Sequence, residues 1–176
     1  MNLSIKSDKA LVNRDGVIEG GKLSLEANND VVNKSGKVTG DTVSLVSHKG
    51  DVINKSGKVA GDSVSLVSHK GNVINETQFK TLSATSRNGV GQFTEVGKQA
   101  SIQARDKLDI RAAKNIASRA ASISGNGVTL NAGESVVLES KAERHGYGIG
   151  TQKLSRKETT RQWVSTLDSD GALHIT

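Results

Sequence analysis

Lys34–Asn54 reads KSGKVTGDTVSLVSHKGDVIN, and Lys55–Asn75 reads KSGKVAGDSVSLVSHKGNVIN. The two stretches align without a gap and differ only at Thr39/Ala60, Thr42/Ser63 and Asp51/Asn72. A fixed period of about 20 residues marks a stacked repeat. Within each copy, Val43-Ser44-Leu45 and Val64-Ser65-Leu66 alternate apolar and polar, the period of a strand with one buried face. Gly36, Gly40 and Gly50, and their copies Gly57, Gly61 and Gly71, fall where the chain has to turn. The pattern predicts an all-β fold, a right-handed parallel β-helix in which each copy is one coil of two or three short strands.

Working outward, Leu3-Ser4-Ile5 matches Val43-Ser44-Leu45, and Arg14–Asn33 (RDGVIEGGKLSLEANNDVVN) is a coil one residue shorter at the Gly50 position. Residues 1–75 therefore read as regular coils, with Leu45 and Leu66 in one core column. Met1 falls inside the repeat pattern, as expected of a piece of a longer chain. Each coil ends in asparagine, at Asn13, Asn33, Asn54 and Asn75. Four asparagines in register predict a ladder in which each side-chain amide bonds the next. The alternative is a row of glycosylation acceptors, because Asn33, Asn54 and Asn75 each begin N-x-S/T. Composition agrees with a thin aliphatic column: 2% of residues are aromatic and 34% hydrophobic, too few for an ordinary core of this size. A disordered chain shares low aromatic content but does not hold Val and Leu in strand register. A lone coil buries too little apolar surface to offset the entropy of ordering it, so coils must stack. The absence of cysteine excludes a disulfide framework and a thiolate metal site.

The register breaks over 76–96, ETQFKTLSATSRNGVGQFTEV, which holds both phenylalanines, Phe79 and Phe93, around an Asn88-Gly89 turn signal. This predicts an excursion, a hairpin whose two rings cover one face of the column. Residues 97–140 resume the coil pattern with more alanine; Leu108 to Val128, Ile110 to Leu130 and Ile116 to Val136 are each 20 apart. A helix over Gln103–Ala121 is the competing reading there. Residues 141–167 are polar and aperiodic, with six Lys/Arg against two Glu, and read as a mobile basic loop. Residues 168–176 read as the return strand.

Candidate chemistry is sparse. His48 and His69 occupy the same position in neighbouring coils, about 4.8 Å apart along the stack, but the preceding coil offers only Asn28 and no third metal ligand. Asp41 and Asp62 stack likewise, near the carboxylate separation of a retaining glycosidase. A catalytic pair needs two unlike environments, however, and a copied ladder offers two alike. Gly125-x-Gly127 precedes no helix and is a turn rather than a nucleotide loop. These features predict no enzyme and no cofactor. In the basic loop, Tyr147, Lys153, Arg156, Lys157, Arg161 and Trp163 form the candidate binding set, suited to phosphate, lipopolysaccharide or acidic lipid. Base-stacking aromatics are missing, so nucleic acid is not an expected partner.

The NVINETQF junction, the A-S-I-x-A and L-x-I-x-A-x-x-N-I coils, the V-T-L-N-A-G-x-S-V coil and the polar stretch before GALHIT resemble the haemagglutinin repeats of filamentous haemagglutinin-like exoproteins. These are exported by two-partner secretion and include CdiA-like contact-dependent growth inhibition effectors. The resemblance covers essentially the whole chain, and 97–140 look like coils of the haemagglutinin-repeat type. It implies a secreted, cell-surface location on a bacterium and a monomeric filament segment. It also implies an outer-membrane two-partner transporter as export partner and a target-cell envelope as the contact. The implied function is a non-catalytic stalk or translocation module that helps deliver a toxin to neighbouring bacteria. A host-cell adhesin filament is the alternative, and a carbohydrate-active β-helix the third reading.

Overall fold

The structure of the chain, a computed structural model, describes residues 1–87, 89–149 and 155–176. Among these residues every regular element is a strand. The first coils are built from β1 (Asn2–Ser7), β2 (Leu11–Arg14), β3 (Val17–Ala27), β4 (Val31–Lys34), β5 (Lys37–Ser47) and β6 (Val52–Lys55). β7 (Lys58–Ser68) and β8 (Val73–Glu76) complete the regular run. A ribbon of β9 (Phe79–Ser86) and β10 (Gly89–Val96) intervenes, and then long and short strands alternate again. These are β11 (Ser101–Ala112), β12 (Asn115–Arg119), β13 (Ser122–Ala132) and β14 (Ser135–Glu139). A second ribbon, β15 (Lys141–Ile149) and β16 (Ser155–Trp163), precedes β17 (Thr166–Ser169) and β18 (Leu173–Ile175).

The long strands form one parallel sheet in the order β1-β3-β5-β7-β11-β13, closed by β17 and β18; the short ones form another, β2-β4-β6-β8-β12-β14. The result is a β-solenoid of about six turns with coils of about 21 residues. The registers are those of the repeats: Val43 lies beside Val64, Leu108 beside Val128, Ile116 beside Val136. Gln103–Ala121 is accordingly two strands and no helix, because ladder bonds and a buried alternate face outweigh alanine's helix propensity. Leu23, Leu25, Val43, Leu45, Val64, Leu66, Leu108, Ile110, Val128 and Leu130 fill the column.

Each coil has three corners, and each is held differently. The first lies inside the long strand. Val38 and Val43 both point inward although strict alternation would put residues at this odd offset on opposite faces, so the chain changes face at Gly40–Thr42, where Asp41 drops out of the pairing. A Cβ on Gly40 would collide with the Gly20 carbonyl of the coil before it. At the second corner the Ser47 hydroxyl donates to Asn29 O at 2.6 Å and accepts from Gly50 N. Beside it runs a carboxylate and amide ladder that sequence reading missed. Asp30 accepts from Asp51 N, Asp51 from Asn72 N, and Asn72 from Asn115 N, at 2.7, 2.7 and 3.1 Å.

The third corner carries the asparagine ladder. The Asn13, Asn33 and Asn54 amides donate to the Oδ1 of Asn33, Asn54 and Asn75 at 2.9, 3.0 and 2.9 Å. Each also donates to the glycine carbonyl that closes its own corner, Gly16, Gly36 or Gly57. Asn75 ends the row against Ser118 and the Ser122 carbonyl. The residue before each glycine, Asp15, Ser35 or Ser56, takes a left-handed φ near 50°, a strained conformation for a residue with a Cβ. A Cβ on Gly57 would sit 2.5 Å from the Asn33 amide nitrogen, so the ladder itself demands glycine there.

Asn54 satisfies several buried groups at once, and orphaning such groups costs about 1–3 kcal/mol each. Asn54→Ala should therefore lose about 3 kcal/mol in urea unfolding, whereas Asn13→Ala, at the open end, should lose less than half as much. Equal losses would mean that the ladder has no cooperative interior.

Candidate functional site

Both ribbons leave the solenoid at the third corner. The first departs after Gln78 and closes with Gly97 N donating to Gln78 O at 2.8 Å, so Glu76 and Thr77 still belong to the coil. Thr77 stitches the gap: its hydroxyl donates to Ala120 O and accepts from Ala100 N. The second ribbon leaves after Glu139, and the intervening coil passes the same corner through Arg119 and Ala120. A charged column links the two roots. Arg119 reaches Glu76 at 3.4 Å and Glu139 at 3.0 Å, while Lys55 and Lys141 close on Glu76 at 3.6 and 3.7 Å.

Outside the column the two ribbons join edge to edge. β10 pairs antiparallel with β15, giving a four-stranded sheet in the order β16-β15-β10-β9. Residues 141–149 and 155–163, expected as part of a mobile loop over 141–167, are thus paired antiparallel strands, and the return to the stack starts at Thr166 rather than 168. Its lack of apolar periodicity has a physical reason. A projecting antiparallel ribbon wetted on both faces needs no alternation, and specific side chains set its register instead.

Glu143 is the hub of those side chains. Trp163 Nε1 donates to Glu143 Oε2 at 2.7 Å, and His145 Nε2 lies 2.8 Å from Glu143 Oε1. The Arg161 guanidinium stacks over the Trp163 ring at 4.5 Å. Phe79 meets Trp163 edge-on at 6.4 Å and carries Lys141 over its own face. Phe93 pairs with Leu82 and His145 and is 42% exposed. The two phenylalanines engage different parts of the second ribbon, Phe79 the Trp163 and Lys141 side chains and Phe93 the His145 ring. The hydrogen bond from His145, and then that from Trp163, hold the Glu143 carboxyl below the usual carboxylate range.

Of the candidate binding set, Arg161 and Trp163 come together. The side chains of Tyr147, Arg156 and Lys157, and Lys153 altogether, lie outside the described residues, as does Asn88 of the turn signal. Glu143, His145 and Lys141 escaped sequence reading. A carboxylate between two strands of a basic segment looks solvated until the pairing of β15 with β16 is known.

The other candidates resolve differently. His48 and His69 stack, with centroids 5.4 Å apart and rings 13° from parallel. The preceding coil supplies Glu26, not Asn28: its Oε1 lies 2.5 Å from His48 Nε2, and Lys6 pairs with it at 3.5 Å. That bond to His48 lowers the Glu26 titration. Among the described residues no cluster of three metal-ligating side chains occurs. Asp41 and Asp62 do not share one environment as the copied sequence implied, because Arg105 pairs with Asp62 at 2.8 Å. Asn33, Asn54 and Asn75 are at most 2% exposed, with their amides committed to the ladder, so the folded chain offers none of them as a glycosylation acceptor.

No protein-family model, curated protein or solved structure matches the chain. Chemically, the projecting sheet offers aromatic and cationic side chains on a rigid base.

The stability added by Glu143 is complete above its ordinary titration range and disappears as pH falls through its lower, folded value. Trp163 is the only tryptophan. Its emission should therefore shift to the red in that acid range, before the solenoid's far-UV signal is lost. In Glu143→Gln, which keeps an acceptor for the indole, the early acid step should vanish.

Proposed function

We propose that this chain is a non-catalytic stalk and translocation segment of a secreted, surface-displayed contact-dependent inhibition effector, helping to deliver a toxin to neighbouring bacteria. The observation that carries the reading is the pairing of a stiff solenoid with a second sheet, assembled from two ribbons at one corner. A stack advancing about 4.8 Å per coil suits a spacer. A sheet held off the column, with Phe93 and Trp163 among basic side chains, suits contact with an envelope surface. Coil-by-coil folding also suits a chain threaded through an outer-membrane two-partner transporter, since repeat arrays nucleate and propagate locally. The resemblance of the 97–140 coils and of the NVINETQF junction to haemagglutinin repeats supports the same assignment. In this reading the partners are the transporter during export and the target-cell outer membrane afterwards.

A host-cell adhesin is the second reading, favoured by the exposure of Leu82, Val90 and Phe93 on the first ribbon. In-register deletion of this segment from the exported protein that carries it separates the two, with surface display and killing of neighbouring bacteria scored independently. Display retained with killing lost is the expected result. Loss of display would assign the segment to export or filament folding. Retention of both would overturn the delivery reading and leave host-cell adherence as the property to measure.

A further inference from the structure

We propose that the notch beneath His69 binds an electron-rich aromatic ring carrying a hydrogen-bond donor, a phenol or an indole. The second corner stacks one outward residue per coil: Asn28, His48, His69, Ala113 and Gly133. The register is fixed by their amides, which donate in turn to the carbonyls of Ser7, Ala27, Ser47, Ser68 and Ala112. Two rungs of this column are imidazoles, stacked 5.4 Å apart. The rungs that follow are a methyl group and a hydrogen, so the ring stack stops while the backbone column continues. What remains is a notch of about 440 Å³, lined by Ser65, Val67, His69, Asp109, Arg111 and Ala113, among others.

Its walls are chemically unlike. His48 is fixed by Glu26, but among the described residues the His69 ring has no hydrogen-bond partner, and only one of its faces is covered. Ala113 and Val67 give an apolar floor. Across it, Arg111 Nε and Nη2 both lie 3.2 Å from the Asp109 carboxylate, which orients the guanidinium and leaves Nη1 free. A ring slid under His69 continues the stack. Its π face meets a cation, and its O–H or N–H finds a carboxylate acceptor. Asp109 disfavours an anionic ring, and a saturated ring gains neither the stacking nor the cation contact. The ring can be free or presented by a partner's Tyr or Trp.

The test is titration of the isotopically labelled full chain, followed by amide NMR, with p-cresol, 3-methylindole, Gly-Tyr-Gly, Gly-Trp-Gly and cyclohexanol. The aromatic probes should produce saturable shifts at Ser65, Val67, His69, Asp109 and Arg111, and cyclohexanol should not. Tighter binding of the peptides than of the free rings identifies a polypeptide as the source, and the reverse a free molecule. Ala113→Phe should fill the notch and abolish the shifts, since the same column accepts imidazoles two and one coils earlier. His69→Leu keeps the bulk without the ring and should weaken binding about tenfold. The proposal is overturned if no probe gives saturable shifts there, if cyclohexanol matches p-cresol, or if both variants bind as the native chain does.

Discussion

The structure depends on the third corner, where a buried side-chain amide must be satisfied by the coil above, the coil below and its own turn. Asn33 accepts from Asn13 and donates to Asn54 and to Gly36 O, so no single coil meets its requirements alone. Buried polar groups left unpaired are expensive, and this converts three local facts into obligations. The residue before the glycine accepts a left-handed backbone; the glycine stays without a side chain; and the next coil returns its asparagine after 20 or 21 residues. Hydrophobic burial by Leu45 or Leu66 tolerates exchange for another aliphatic residue, as the Val, Leu and Ile of neighbouring coils show. The amide column tolerates no slip.

That corner also governs what the molecule projects. A chain that leaves the stack must do so without orphaning the ladder. At Gln78 the departure costs little because Thr77 takes over the bonds to Ala100 and Ala120, and Asn75 still reaches Ser122. The second ribbon leaves from the same corner, so the two emerge close enough to pair. The Glu76, Arg119 and Glu139 column joins their roots, and Glu143 ties Trp163 and His145 across β15 and β16. The solenoid thus serves as a fixed base that brings together two ribbons distant in sequence.

Much of this was legible before any coordinates. The copied 21 residues gave coil length, register and core column, because strand alternation and glycine corners are local properties. Asn13, Asn33, Asn54 and Asn75 were legible as a ladder because identical side chains in register can only meet one another. Asp30, Asp51 and Asn72 were not, since they differ in type and bond to backbone amides instead of to themselves. The strands β15 and β16 were hidden for another reason: β15 pairs with β10, about 50 residues earlier, and β16 with β15, through side-chain contacts centred on Glu143 that leave no periodic trace. The bond from His48 to Glu26 was not foreseen because coil position places Asn28 beside His48, whereas a glutamate side chain reaches diagonally from Glu26.

Excision of whole and partial coils tests most directly whether rung-on-rung register holds the fold. Removing Lys34–Asn54 joins Asn33 to Lys55 and keeps every column aligned, with one rung fewer. Removing two residues less, Lys34–Val52, keeps Ile53 and Asn54 and places the following coils out of register. If register is the governing constraint, the first variant keeps its strand circular dichroism and a cooperative melt, and the second loses both. Similar melts for the two variants would contradict it and leave bulk hydrophobic collapse of the aliphatic column as the stabilising force.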